Sequence, residues 1–199
     1  MSALKRILFV CTGNTCRSPM AEAILRDKAK RRGLSVEVRS AGVSTMDGLP
    51  VSGNAAKTLS ARGISHNGSS RAAREEMIGW ADLVLTMTAG HKNALLHRFP
   101  SAVDKTFTLK EYTAFGTSVQ EGVEELERLY AQWQMARALG QDISAEERAR
   151  IMELERQLPA LDIGDPFGGT LQIYASCADE ITKAVDKLLE TLERESGKD

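Results

Sequence analysis

The sequence predicts an α/β protein, a three-layer sandwich with helices on both faces of a four-stranded parallel sheet. Three observations predict it. Short apolar runs rich in β-branched residues alternate with longer stretches of helical periodicity, the order a parallel sheet requires. The chain has 199 residues, enough for one domain with a buried core. Its 42% apolar and 27% charged residues are the balance of a globular protein.

The elements follow in order. Residues 5–11 (KRILFVC) form a short apolar run and predict a buried first strand. Thr12, Gly13 and Asn14 supply turn chemistry. Ser18 and Pro19 predict a helix start, with serine as cap and proline at the first helical position. Ala21, Ile24, Leu25 and Ala29 line one face of that helix, and Gly33 ends it. Residues 35–40 alternate as a second strand, and Ser40-Ala41-Gly42 leads into a loop. Helices are expected over 52–62, ended by Gly63, and over 71–79. Residues 81–87 (ADLVLTM) read as a third strand, followed by a helix to about residue 98. A fourth strand lies within 105–112. Residues 170–194 form a long last helix with Leu171, Tyr174, Ile181, Ala184, Val185, Leu188, Leu189 and Leu192 on one side.

One stretch breaks the alternation. Val119, Val123, Leu126, Tyr130 and Trp133 fall at helical spacing until Gly140. Ser144 and Glu147 then form a capping-box signature for a second helix bearing Ile151, Leu154 and Leu158, ended by Pro159. The expectation is a single domain over 1–199 that carries an inserted helical hairpin at about 118–161, closed by its own apolar seam.

A net charge of −1, from 26 basic and 27 acidic residues, provides no general attraction to nucleic acid or to an anionic membrane. The run Ile7-Leu8-Phe9-Val10 is too short for a signal-peptide core or a membrane span. A cytoplasmic protein is expected, and its three cysteines are expected to be free thiols. No metal site is expected: His66, His91 and His97 lack ligand spacing and read as ordinary surface or helix residues. No cofactor is implied.

The chemistry lies in residues 10–24, VCTGNTCRSPMAEAI. A loop between a buried strand and a helix start gathers backbone N–H groups around one point, and the helix dipole adds positive potential there. Cys11 stands where that loop begins, and Arg17 brings a planar five-donor fork suited to a tetrahedral oxyanion. Such a field favours the thiolate, the nucleophilic form of cysteine. The spacing C-x5-R-S thus predicts a loop in which sulfur attacks phosphorus in line while the phosphoryl oxygens rest on amides and arginine. That chemistry needs a proton donor for the leaving group. Asp165 is the candidate, held extended before Pro166 in a loop that Gly164, Gly168 and Gly169 allow to bend.

The segments VCTGNTCRSPMAEAI, RSAGV, ADLVLTMTAGHK, FTLKEY and DPFGG together resemble the low-molecular-weight protein tyrosine phosphatases and their bacterial protein-arginine phosphatase branch. The resemblance spans most of the chain outside the hairpin. It implies a flavodoxin-like sheet, metal-free hydrolysis and a phosphocysteine intermediate. By this resemblance Cys11 is the nucleophile, Arg17 binds phosphate and Asp165 is general acid and base. Ser18 resembles the serine that hydrogen-bonds the thiolate, and Asn14 and Ser40 the polar residues that hold the loop. Thr12, Gly13, Thr15 and Cys16 complete the phosphate loop. The family histidine of that network would fall near Gly68, with His66 offset from it.

Thr15 and Phe167 bear on specificity. Tyrosine-specific members tend to carry a bulky aliphatic residue before the second cysteine, whereas the arginine branch is similar to this chain in having threonine. Phe167 is followed by Gly168, not by a second aromatic wall. Phosphoarginine in proteins is therefore the expected substrate. Phosphotyrosine is the alternative, and an arsenate reductase or a non-catalytic phosphate-binding module are lesser ones. Residues 72–109 lack the cysteines that an arsenate reductase needs. Cys16 lies close enough in sequence to trap an oxidised Cys11 as a disulfide, or else is a small buried residue. Cys177 reads as core. The hairpin is read as a surface for substrate access, for a partner or for self-association.

Overall fold

A computed structural model describes residues 4–114 and 118–196. The chain forms two compact units, one of residues 1–113 and 161–199 and one of residues 114–160.

The first unit contains a four-stranded parallel sheet. Its strands are β1 (Lys5–Cys11), β2 (Val36–Gly42), β3 (Leu83–Thr86) and β4 (Thr106–Thr108), in the order β2-β1-β3-β4. The order reverses between β1 and β3. In open α/β sheets the crevice beyond the carboxyl ends of the strands at such a reversal is where ligands bind, and Cys11 is the last residue of β1.

β1 is central, so both of its faces are covered and it reads as a continuous apolar run. Its alternate side chains divide between two cores. Ile7 and Phe9 pack with residues of α1 (Arg17–Arg31) and α8 (Leu171–Ser196), including Met20, Ile24, Ile181 and Leu188. Leu8 and Val10 pack on the other face with Ile78 of α3 (Glu75–Trp80) and Leu95 of α4 (Ala89–Arg98). Phe9 is fully buried, so Phe9→Ala would cost about 3–5 kcal/mol. On the first face, Lys28 of α1 and Arg32, which directly follows the helix, pair with Asp186 of α8.

Three expectations for local structure are corrected. The second strand does not stop at Ser40: Cys11 pairs with Gly42, so Ala41 and Gly42 belong to β2. Ser18 does not cap α1. The helix starts one residue earlier, after Cys16, and the Ser18 hydroxyl is engaged with Cys11. Pro19 therefore sits in the third helical position, still in the first turn, where its missing N–H costs no hydrogen bond. The helix expected over 71–79 is only α3. The N–H groups of Arg71, Ala72 and Ala73 go to Asn14 Oδ1, Asp47 Oδ1 and Gly42 O, so the backbone there cannot close a helical turn. The fourth strand lies within 105–112 as expected and is three residues long. The Thr108 hydroxyl accepts from Glu111 N while Glu111 accepts from Thr108 N, and this capping box turns the chain into α5 (Leu109–Tyr112). The helix expected over 52–62 is α2 (Gly53–Ala61), capped by Ser52, whose Oγ accepts from Ala55 N.

The second unit is the hairpin, α6 (Ser118–Ala138) and α7 (Ala145–Gln157). Gly140, at φ +69°, ends α6, with Gln141 N donating to Ala136 O and Gly140 N to Arg137 O. Both halves of the Ser144–Glu147 capping box are formed. Ile151 and Leu154 are buried, and Leu158 packs so close to Gly122 that a Cβ there would lie 2.8 Å from it. Arg150 binds Glu125 across the pair. Leu161 belongs to the sheet unit, where its carbonyl accepts from Thr108 Oγ1.

Candidate active site

Three strand ends and two loops build the site. β1 delivers Cys11, which is buried, and its Sγ lies 3.0 Å from Ser18 Oγ in the first turn of α1. The loop between them turns at Asn14, a non-glycine residue at φ 53°. This conformation costs about 1–2 kcal/mol for an L-residue, and the side chain offsets it. Asn14 Nδ2 donates to Ser18 Oγ and to Ser40 Oγ, both at 2.9 Å, and its Oδ1 accepts from Arg71 N at 2.8 Å. Ser40 in turn donates to Glu22 Oε2 at 2.5 Å, and Glu22, itself buried, pairs with Arg26. Asn14 fills a lone pair of Ser18, so the Ser18 proton is free for the Cys11 sulfur or for Ala41 O, which lies 3.4 Å away.

Gly42 is required by close approach. A Cβ there would lie 2.6 Å from Thr12 O and 3.2 Å from Asn14 N. The loop backbone is pinned there, since Val43 N donates to Cys11 O and Ser44 N to Thr12 O.

Arg17 is 5% exposed. Its Nη1 donates to Ile163 O, and its Nη2 pairs with Asp165 Oδ2 at 2.9 Å. The Asp165 side chain is 55% exposed, and its Oδ1 accepts from Phe167 N. Cys11, Thr12, Gly13, Thr15, Cys16, Arg17, Asp165 and Phe167 line one cleft of about 220 Å³. The hairpin has a larger, more open cleft of about 730 Å³ around Tyr130, Trp133 and Arg148, which contains neither cysteine nor histidine.

The sequence-predicted residues thus fall into two shells. Thr15 faces the cleft, and its carbonyl accepts from Ser52 N. Phe167 stands 80% exposed at the rim. Ser18, Asn14 and Ser40 lie behind the loop. Cys16 Sγ lies 3.2 Å from Tyr174 Oη. Cys177 is buried, its thiol pushed up to about 12 chiefly by burial, and its Sγ faces Gly164 O. All three cysteines are free thiols.

The loop that carries Asp165 is stitched down by residues that sequence reasoning missed. Ile163 N donates to Met87 O, and Asp162 Oδ1 accepts from Ala89 N. Glu180 accepts from Gly164 N and pairs with Lys110, whose Nζ also donates to Asp162 O. Asn54 Nδ2 donates to Gly169 O. No local pattern marks these residues, because each partner lies far along the chain.

Two histidines differ from expectation. His66 packs against Gly68, where a Cβ would lie 2.7 Å from its Nε2. Burial lowers its pKa, Glu22 opposes that shift, and Arg26 and Arg71 reinforce it. Its Nδ1 has no hydrogen bond among the described residues. His91 is no ordinary helix residue. It is 7% exposed, and its ring lies between Thr12 and Thr88. The described residues contain no group of three or more acidic, cysteine or histidine side chains able to hold a metal, and no described helix is long and apolar enough to cross a membrane.

This geometry agrees with comparisons to known proteins. The profile of the low molecular weight phosphotyrosine protein phosphatase family matches residues 6–132. A protein-arginine-phosphatase of Geobacillus stearothermophilus is 38% identical over 96% of this chain and 97% of its own. The protein-arginine-phosphatase of Bacillus subtilis is 34% identical over 95% and 97%. The solved structure of a YwlE arginine phosphatase mutant with a phosphorylated active-site serine is 34% identical, covers 94% of this chain and 95% of its own, and superimposes with a TM-score of 0.70.

Proposed function

The chain belongs to the low molecular weight phosphotyrosine protein phosphatase family, and we propose that it hydrolyses phosphoarginine in proteins through a phosphocysteine at Cys11. One observation carries the chemistry: Cys11, Arg17 and Asp165 line the same small cleft. In the first step Cys11 Sγ attacks phosphorus in line. The S–P bond forms as the P–N bond breaks, and Asp165 protonates the departing guanidine nitrogen. The phosphoryl oxygens rest on the loop amides and the Arg17 fork, which a bound phosphoryl group takes over from Asp165. In the second step Asp165 removes a proton from water, water oxygen attacks phosphorus, and the S–P bond breaks. Ser18, 3.0 Å from Cys11 Sγ, stabilises the returning thiolate. The solved relative with a phosphorylated active-site serine supports a phosphoenzyme step.

Thr15 in the wall and a rim with the single aromatic Phe167 support arginine over tyrosine. A hydroxyl suits a polar guanidinium, whereas a branched alkyl with flanking aromatics suits a phenyl ring. The names of the relatives agree. The exposed Phe167 ring favours phosphotyrosine as the second reading. Side-by-side kinetics on phosphoarginine, phosphotyrosine and phosphoserine peptides decide between them. A kcat/KM at least tenfold higher on phosphoarginine is expected, and the reverse order overturns the assignment.

The setting is the cytoplasm, in keeping with three free thiols. Partners are phosphorylated proteins. The hairpin, with nine acidic and five basic residues between 114 and 160, serves protein substrates or association and not the chemical step.

A further inference from the structure

His91 is the third residue of α4, and the mechanism above leaves it without a task. Its Nε2 lies 2.8 Å from Thr12 Oγ1, and its Nδ1 lies 2.9 Å from Thr88 Oγ1. Thr88 caps α4, where its Oγ1 also accepts from His91 N at 3.2 Å. Thr12 directly follows Cys11, is exposed, and lines the cleft. A buried ring thus joins a helix cap beyond β3 to the residue next to the nucleophile.

The hydrogen bonds favour one place for the ring proton. Burial, then Arg17, push the His91 pKa down, while Asp165 and Asp162 oppose the shift, so the ring is neutral at neutral pH. A neutral imidazole has one N–H and one lone pair. Thr88 Oγ1 already accepts the backbone N–H of His91, and the partner for its own proton is Nδ1. We assign the ring proton to Nε2, donating to Thr12 Oγ1, because this tautomer uses the Thr88 hydroxyl proton on Nδ1 as well as its lone pair on the backbone N–H. With a lone pair of Thr12 occupied in this way, the Thr12 hydroxyl proton is free to point into the cleft. In the opposite tautomer Thr12 would spend its proton on the ring and turn lone pairs toward an incoming anion.

We propose that His91 is a positioning residue that orients Thr12 as a hydroxyl donor to a non-bridging phosphoryl oxygen of the substrate. Hydrogen bonds in series, Nε2–H to Oγ1–H to phosphoryl oxygen, reinforce one another, and a charged acceptor strengthens the last of them. The inference rests on the reading of residues 11–17 as a phosphoryl site.

The test is a double-mutant cycle with inorganic phosphate as competitive ligand and p-nitrophenyl phosphate as substrate. It compares wild type, Thr12→Val, His91→Phe, the double variant and His91→Gln. Each of Thr12→Val and His91→Phe should weaken phosphate binding about tenfold, the worth of one hydrogen bond to a charged group. The double variant should be no weaker than Thr12→Val, because the two residues act as one unit. His91→Gln, which keeps an N–H donor, should recover most of the loss. The inference is overturned if the two losses multiply to about a hundredfold, or if phosphate binds His91→Phe as it binds wild type. Should His91→Phe fail to fold by circular dichroism, Thr12→Val decides, and unchanged phosphate affinity there overturns the proposal. Failure of wild type to bind phosphate overturns the loop reading as well. Binding by wild type with insensitive variants overturns the His91 role alone.

Discussion

Residues 11–17 and residues 161–169 line the same cleft, yet they are held by different means. The first loop is braced from within by its own members as well as from outside. Asn14 reaches Ser18 four residues away and Ser18 reaches back to Cys11, while Ser40, Val43, Ser44, Ser52, Arg71 and His91 hold the loop from other elements. The second loop is fastened from outside. Met87, Ala89, Lys110, Glu180 and Asn54 each secure one point of it. On the proposed mechanism the first loop binds the anion and must place several N–H groups within tenths of an ångström, in keeping with its tight winding beside a strand and a helix. On the same proposal the second loop need only keep the Asp165 carboxyl in reach, for which anchoring from neighbouring elements is sufficient.

Breaking the first loop should have the larger consequence. Cys11→Ser removes the nucleophile, so turnover of both phosphopeptides and p-nitrophenyl phosphate should vanish while circular dichroism and Tm stay near wild type. Activity near wild type would remove Cys11 from the mechanism. Asp165→Asn should slow phosphopeptide hydrolysis by roughly 10²–10⁴, the usual worth of general acid–base assistance. The loss should be smaller on p-nitrophenyl phosphate, whose leaving group needs little protonation, and equal losses on both would indicate a positional role instead.

Asn14→Ala sharpens the comparison. It removes three hydrogen bonds and leaves a left-handed turn without support. A stability loss of about 2–4 kcal/mol in urea melts is expected, together with lost activity. Asn54→Ala removes one anchor of the Asp165 loop and should cost only several-fold in kcat, with Tm almost unchanged. If the two variants cost the same stability, the contrast between the loops fails.

Replacing residues 118–160 by a short linker should leave p-nitrophenyl phosphate turnover within several-fold of wild type. It should change activity on whole phosphoproteins or the mass seen by light scattering. Loss of small-substrate turnover in a folded variant would show that the hairpin acts on Asp165.

The smallest expected effect is on pH-dependent stability. Burial lowers the pKa of His66 and of His91 below the ordinary value of about 6.5. Between each lowered value and 6.5 the unfolded chain binds more protons than the folded one, so stability rises with pH across that window. Urea midpoints should therefore fall as pH drops below 6.5, and the double variant His66→Gln with His91→Gln should flatten that slope.

Alternating apolar runs and helical periods disclosed the strands and most helices, because burial on one or two faces leaves a repeating pattern in the chain. Cys11, Arg17 and Ser18 were legible together, since an anion loop built from consecutive residues must write its spacing into the sequence. The Ser144–Glu147 capping box and the stop at Gly140 were legible for the same reason: their partners lie within a few residues. Ser18 misled as a cap because its hydroxyl serves a sulfur seven residues back, and residues 71–73 misled as helix because their N–H groups serve acceptors far back in the chain. Tertiary structure alone decided that Gly42 must lack a Cβ, that Glu22 lies behind Ser40, that Asn54 and Glu180 anchor the Asp165 loop, and that His91 touches Thr12. In each of these the partner lies sixteen to more than a hundred residues away, and a hydrogen bond or steric contact at that separation imposes no period on the chain between.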